Sequence, residues 1–353
     1  MKAGRLILHL GHGKTGSTSI QRSLRASADV LKAAGVLFPD TGRHDNHQFL
    51  FPHLHGSLPD DPVQLASLGP SPAAARKTAA QYWEALGQAM RDTRPDVLVL
   101  SCENQFRPFT PAALKRLTEH CQALAEQTEV VAYLRSPSSF FLSMAQQDVK
   151  KRPEFRRISP SRCRDTLEPF LDHGPGPVTA LGFSRATLAG GDVVEDFVTR
   201  FLPEVDPAHL TRDTTEENTS VSAEAMALLQ EMFRGTRSVP RAFRKDLKAL
   251  RKIIVETDAK VDGSTRPVLF DHVRAAVEAR VTELDWLHER FDLTFADLRN
   301  TGMSRDEAEV IYAGLHDIAD ICAVDNDRKE ALWQAAVKTS TARLGPLRRL
   351  FGG

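Results

Sequence analysis

Short, nearly continuous apolar runs alternate along this chain with longer stretches in which apolar residues recur every three or four positions. The runs Arg5 to Leu10, Val97 to Ser101, Val130 to Leu134 and Val178 to Phe183 have the length and continuity of buried strands. Helical periodicity fills the segments between them, and strands alternating with helices predict an α/β fold: a mostly parallel sheet with helices on both faces. After about Glu204 the strand signal fades. Ser222 is placed to cap a helix carrying Met226, Leu229 and Phe233, while Phe243, Leu247, Leu250 and Ile254 recur at helical spacing. The organisation expected is therefore an α/β core over residues 1–204 and a helical C-terminal layer over 205–353, packed on the same domain. A stretch from Asp40 to Pro72, rich in His, Pro, Gly and Asp, reads as a long irregular excursion, and Gly345 to Gly353 as a frayed basic tail.

Composition narrows the partners. With 353 residues, 41% of them hydrophobic, the chain has enough apolar surface for a large core, so extensive disorder is not expected. Lys plus Arg and Asp plus Glu both number 46, a formal net charge of zero that exerts no general pull on nucleic acid. Any anion recognition must be local. Cys102, Cys121, Cys163 and Cys322 are scattered, which suits neither a disulfide framework nor a zinc knuckle and points to a reducing, cytoplasmic setting. Leu6 to Leu10 is too short for a signal core or a membrane span, so no transmembrane segment is expected.

Two local patterns bear on anion binding. The segment Gly11-His12-Gly13-Lys14-Thr15-Gly16-Ser17-Thr18 follows the first strand and opens a helix. Glycines allow a tight turn that presents N–H groups, the helix N-terminus adds a positive dipole end, and Lys14 adds a full charge. A bland alternative is that the glycines only shape a tight turn. The segment is not a Walker A, since Leu8 stands where that pattern needs its first glycine. In the second pattern, a strand ends in Arg135, Ser136 and Pro137 are suited to N-cap and first-turn positions, and Ser143 follows eight residues after the arginine. A guanidinium fork and a hydroxyl at that spacing suit one phosphate group.

With both patterns in one chain, the sequence resembles the sulfotransferases, of bacterial type, that use 3′-phosphoadenosine 5′-phosphosulfate (PAPS). Their phosphosulfate loop has a Lys-Thr-Gly-(Ser/Thr)-Thr core, here Lys14 to Thr18, although Gly13 stands where His or Pro is usual. The resemblance extends to Leu181–Phe201, with Gly190 and Gly191 before Asp192 and Phe197, then to Asn218–Ser222, and more weakly through Trp286, Leu287 and Phe291. It implies a P-loop-like sulfotransferase fold, a nucleotide-binding role for residues 1–204, and PAPS as co-substrate. It further implies Lys14, Thr15, Gly16, Ser17 and Thr18 on the 5′-phosphosulfate and Arg135 with Ser143 on the 3′-phosphate. The sulfuryl group would pass to the hydroxyl of a small-molecule or carbohydrate acceptor.

No metal is expected, because the strand ending at Leu134 leads to an arginine instead of an acidic Mg²⁺ ligand. Glu103, just past another strand end, is a candidate general base where the family carries histidine; an ion-paired or capping carboxylate is its plainer reading. His44, His47, His53 and His55 cluster in the long excursion without a completing metal motif, and His47 is an alternative base. Arg241, Arg244, Lys245, Lys248, Arg251 and Lys252 form either a solvated helix face or a surface for an anionic acceptor. Two rival functions stay open at this point: a P-loop kinase using ATP and Mg²⁺, and a non-catalytic nucleotide-binding relative.

Overall fold

A computed structural model describes residues 2–40, 46–51, 69, 71–212, 220–299 and 302–350. The first part of the chain forms β1 (Ala3–Leu10), α1 (Ser17–Ala26), α2 (Ala28–Ala33), β2 (Val36–Leu37), α3 (Pro72–Thr93), β3 (Val97–Cys102), α4 (Pro111–Leu124) and β4 (Ala125–Leu134). Then come α5 (Pro137–Val149), α6 (Arg162–His173), β5 (Val178–Gly182), α7 (Val193–Phe201), α8 (Ala223–Arg234), α9 (Leu247–Asp258) and α10 (Asp271–Ala279). The chain closes with α11 (Leu284–Phe291), α12 (Arg305–Ala313), α13 (Ile318–Ile321) and α14 (Asn326–Leu350). The last helix thus continues to Leu350, through most of the segment expected to fray.

The five strands form one parallel sheet in the order β2-β3-β1-β4-β5. In the central β1, Leu6, Leu8 and Leu10 pack with Leu86 of α3, Leu117 of α4, Leu167 of α6 and Leu287 of α11. Ile7 faces the other way, with Ile20 and Leu24 of α1 and Phe197 and Val198 of α7. Burial on both faces is what makes the strand runs continuously apolar. Two features escape that pattern. A two-residue strand, β2, pairs only through Val36 and Leu37. The opening residues of β4 are polar at Glu126, Gln127 and Thr128, yet their backbones pair with β1.

The chain divides into two compact units. The sheet unit comprises Met1–Ser136, Pro160–Thr214 and Thr282–Ala296; the helical unit comprises Pro137–Ser159, Thr215–Val281 and Asp297–Gly353. The chain therefore passes between them repeatedly: α5 belongs with the later helices and α11 with the sheet.

In the helical unit, Ser222 caps α8 by accepting the Ala225 N–H, and Met226 and Leu229 are buried beside Leu250 and Ile254 of α9. Arg328 of α14 is buried among Ser222, Glu224 and Asp258, donating to all three at 2.8–2.9 Å. One guanidinium thus joins α8, α9 and α14, and its paired carboxylates offset the cost of burying it.

Candidate functional site

The loop after β1 is anchored to its neighbour strand, the Gly11 N–H donating to the Cys102 carbonyl at 3.1 Å. A Cβ at position 11 would stand 2.6 Å from Ser17 Oγ and 2.7 Å from Glu103 Cα, so only glycine permits this approach. The turn is completed by two left-handed residues, Lys14 at φ 69° and Gly16 at φ 75°. Gly16 also lies against α7, where a Cβ would come within 2.6 Å of Val193 Cγ1. As N-cap of α1, Gly16 brings no capping side chain, and the first turn holds no acidic residue. An uncapped, acid-free N-terminus with a lysine beside it favours an anion.

Within the loop, Thr15 Oγ1 donates to the His12 carbonyl at 2.6 Å and holds the turn closed. His12 is buried with its ring edge-on to Phe106 at 4.7 Å. Burial first, then the nearby Arg162 and Arg135 guanidiniums, push its pKa well below the usual histidine value. Held neutral, the imidazole adds no further positive charge to a loop already flanked by Lys14, Arg135 and Arg162.

Arg135 leaves β4 at the same edge of the sheet and donates through Nη1 to the Lys14 carbonyl at 3.1 Å. Its guanidinium lies 5.8 Å from the Phe183 ring centroid, just past β5. Arg162, at the start of α6, donates to the Phe106 carbonyl at 3.1 Å and lies 5.6 Å from that ring. Lys14, Arg135 and Arg162 therefore gather around one glycine-rich loop at the carboxyl ends of β1 and β4, where open parallel sheets place ligands. Sequence reasoning missed Arg162; nothing local to Ser161 and Arg162 signals that α6 starts beside the loop.

Beneath the loop lies a buried polar chain. Gln21 Nε2 of α1 donates to Ser101 Oγ at 2.9 Å, and His9 Nδ1 is 2.8 Å from the same oxygen. The serine hydroxyl accepts from Gln21 and shares a second hydrogen bond with His9 Nδ1, while His9 Nε2 is buried with no hydrogen-bond partner among the described residues. Burial pushes the His9 pKa down to about 4. Ser17 Oγ, at the first position of α1, is buried with no hydrogen-bond partner among the described residues.

The loop residues Lys14 to Thr18 and Arg135 are thus brought together, and Glu103, half-buried, has its backbone against Gly11. His47 is placed otherwise. Its Nε2–H donates to the Pro39 carbonyl at 2.9 Å and its Nδ1 accepts the Ser101 N–H at 2.9 Å. Burial pushes its pKa down to about 4, against the opposing pull of those backbone bonds and of Asp40. Both nitrogens are committed, so His47 has no free lone pair with which to take a substrate proton.

Ser143 is half-buried on α5 in the helical unit, and its share in phosphate binding rests on sequence spacing alone. His44, His53 and His55 lie outside the described residues. On the basic segment, Arg241, Arg244, Lys245, Lys248 and Lys252 are exposed while Phe243, Leu250 and Ile254 are buried. The glycine pair before α7 lets Asp192 accept the Val194 and Glu195 amides, capping the helix that places Val193 under Gly16.

Among the described residues, no group of three or more His, Cys, Asp or Glu side chains is placed to hold a metal ion. No helix among them is long and apolar enough to cross a membrane. All four cysteines are free and buried.

The chain matches no protein-family profile and no curated protein. Among solved structures it is similar to a sulfotransferase domain from the curacin biosynthetic pathway, at 13% sequence identity and a TM-score of 0.31, over 61% of this chain and 77% of that one.

Proposed function

We propose that the chain is a PAPS-dependent sulfotransferase that moves a sulfuryl group to an acceptor hydroxyl. The observation that carries the proposal is the hydrogen bond from Arg135 to the Lys14 carbonyl, which sets two cations at one uncapped helix N-terminus. A nucleotide charged at both its 5′ and 3′ positions matches such a pair. Lys14 and the amides of Thr15 to Thr18 would take the phosphosulfate, and Arg135 the 3′-phosphate; the sequence spacing adds Ser143 to the latter.

In the reaction, the acceptor oxygen forms a bond to sulfur as the bond from sulfur to the bridging phosphate oxygen breaks. 3′-Phosphoadenosine 5′-phosphate leaves, its new charge stabilised by Lys14 and the helix amides. The acceptor proton goes to Glu103, the candidate base whose backbone lies against Gly11 of the loop. His47 is set aside as a base because both its nitrogens serve the backbone. The cytoplasmic setting remains part of this proposal and rests on the scattered, unpaired cysteines.

A kinase reading is disfavoured by Thr15. In a Walker loop the hydroxyl after the lysine faces Mg²⁺, whereas here it is turned back onto the His12 carbonyl. Calorimetry decides the matter: binding of 3′-phosphoadenosine 5′-phosphate with little binding of ATP supports the proposal, and the reverse order overturns it. Transfer of labelled sulfate from PAPS to an acceptor panel separates an enzyme from a binding-only relative.

A further inference from the structure

Within the helical unit, the segment after α5 bends around the side chain of Asp148, which is buried. Asp148 accepts the Arg156 N–H and the Arg156 Nε–H, each at 2.9 Å, and lies 3.6 Å from Arg152 Nε. Arg157 is held across the way, donating to the Tyr312 and Ala313 carbonyls with its guanidinium 5.1 Å from the Tyr312 ring centroid. Gln230 ties the two walls by donating to the Pro153 and His316 carbonyls at 3.2 and 2.9 Å. Between the walls is a cavity of about 420 Å³ lined by Arg152, Arg156, Arg157, Glu154 and His316, with Phe155 and Leu315 as its apolar part.

We propose that this cavity binds a sugar-sized small molecule carrying a phosphate or sulfate monoester. Three guanidiniums line it against Glu154, the one carboxylate among its described lining residues, with Asp148 buried beside Arg152 and Arg156. Arg157 spends its fork on two carbonyls and contributes charge alone. Arg156 differs: Nε is fixed by Asp148, and Nη1 and Nη2 donate no hydrogen bond among the described residues. A carboxylate that fixes Nε and leaves the fork open presets the arginine for a tetrahedral oxyanion. The volume falls in the range of small-ligand sites and exceeds what a bare ion fills, and Phe155 offers an apolar surface to the rest of the ligand. This site stands whether or not the chain transfers sulfuryl groups.

The test uses the full chain carrying Lys14→Ala and Arg135→Ala, which silences the loop after β1, with glucose 6-phosphate, glucose 6-sulfate and glucose titrated by calorimetry. At least one ester is expected to bind, and glucose is not; which ester binds distinguishes the two sources of the oxyanion. Adding Arg156→Gln should weaken that ester at least about tenfold. Adding Glu154→Gln, which removes a rim charge that makes no hydrogen bond among the described residues, should tighten it by about threefold. Absence of ester binding, equal binding of glucose, or an unchanged affinity in Glu154→Gln would overturn the proposal, and that last variant decides even if Arg156→Gln fails to fold.

Discussion

Arg135 reaches across from the end of β4 and binds the backbone carbonyl of Lys14, so the arginine positions the lysine as well as adding charge. Their roles are separable. Arg135→Lys retains a charge but cannot offer the same planar fork, and it is expected to weaken 3′-phosphoadenosine 5′-phosphate binding by about tenfold or more, measured by calorimetry, with little change in the thermal melt.

Lys14 sits at φ 69°, a conformation costly for any residue but glycine. Lys14→Gly should therefore leave stability unchanged or raise it by about 0.5–1 kcal/mol while abolishing transfer. Lys14→Ala should abolish transfer without that gain. Denaturant melts and a labelled-sulfate assay on the two variants check this; a stable and active Lys14→Gly would remove the ammonium from the mechanism.

Gly16 combines a positive φ with contact against Val193. Gly16→Ala should cost about 1–3 kcal/mol through backbone strain and overpacking. Because α1 would shift, nucleotide affinity should fall with it, and Val193→Ala in the same chain should recover part of the loss by relieving the clash.

Glu103→Gln tests the proton acceptor. If the carboxylate takes the acceptor proton, kcat should fall about 100-fold or more while nucleotide affinity is retained. An unchanged kcat would remove Glu103 from the proton transfer.

His9 and His47 are both shifted from 6.5 to about 4 on folding, and His12 is also shifted well below 6.5. The unfolded chain thus binds protons that the folded chain refuses. The stability associated with these histidines is whole above about pH 6.5 and drains away as the pH falls toward 4, by about 1.4 kcal/mol per pH unit for each histidine. Melts at about pH 7.5 and 5.5 should differ strongly, and His9→Gln should flatten the dependence.

Much of the sheet was readable because both its faces are covered, which leaves an unbroken apolar signature at Leu6, Leu8 and Leu10 and again from Val97 and Val130. β2 was not, since two residues make no pattern, and the start of β4 was hidden by polar side chains on a paired backbone. The loop after β1 announced itself through residue types that few other turns require. Arg162 and the commitments of His47 did not, because both depend on partners distant in sequence: Phe106 for the arginine, Pro39 and Ser101 for the histidine. The grouping of α5 and α11 is likewise settled by long-range packing that no local window contains.

Beyond its two pairs with β2, strand β3 would present bare backbone toward its carboxyl end. His47 fills that place with its own amide, which donates to the Ser101 carbonyl at 2.9 Å, and with its ring, which receives the Ser101 N–H. A protonated imidazole could not receive it. Acidification would therefore uncover a docking edge for a foreign strand, and aggregation through β3 is the form that acid damage to this protein should take.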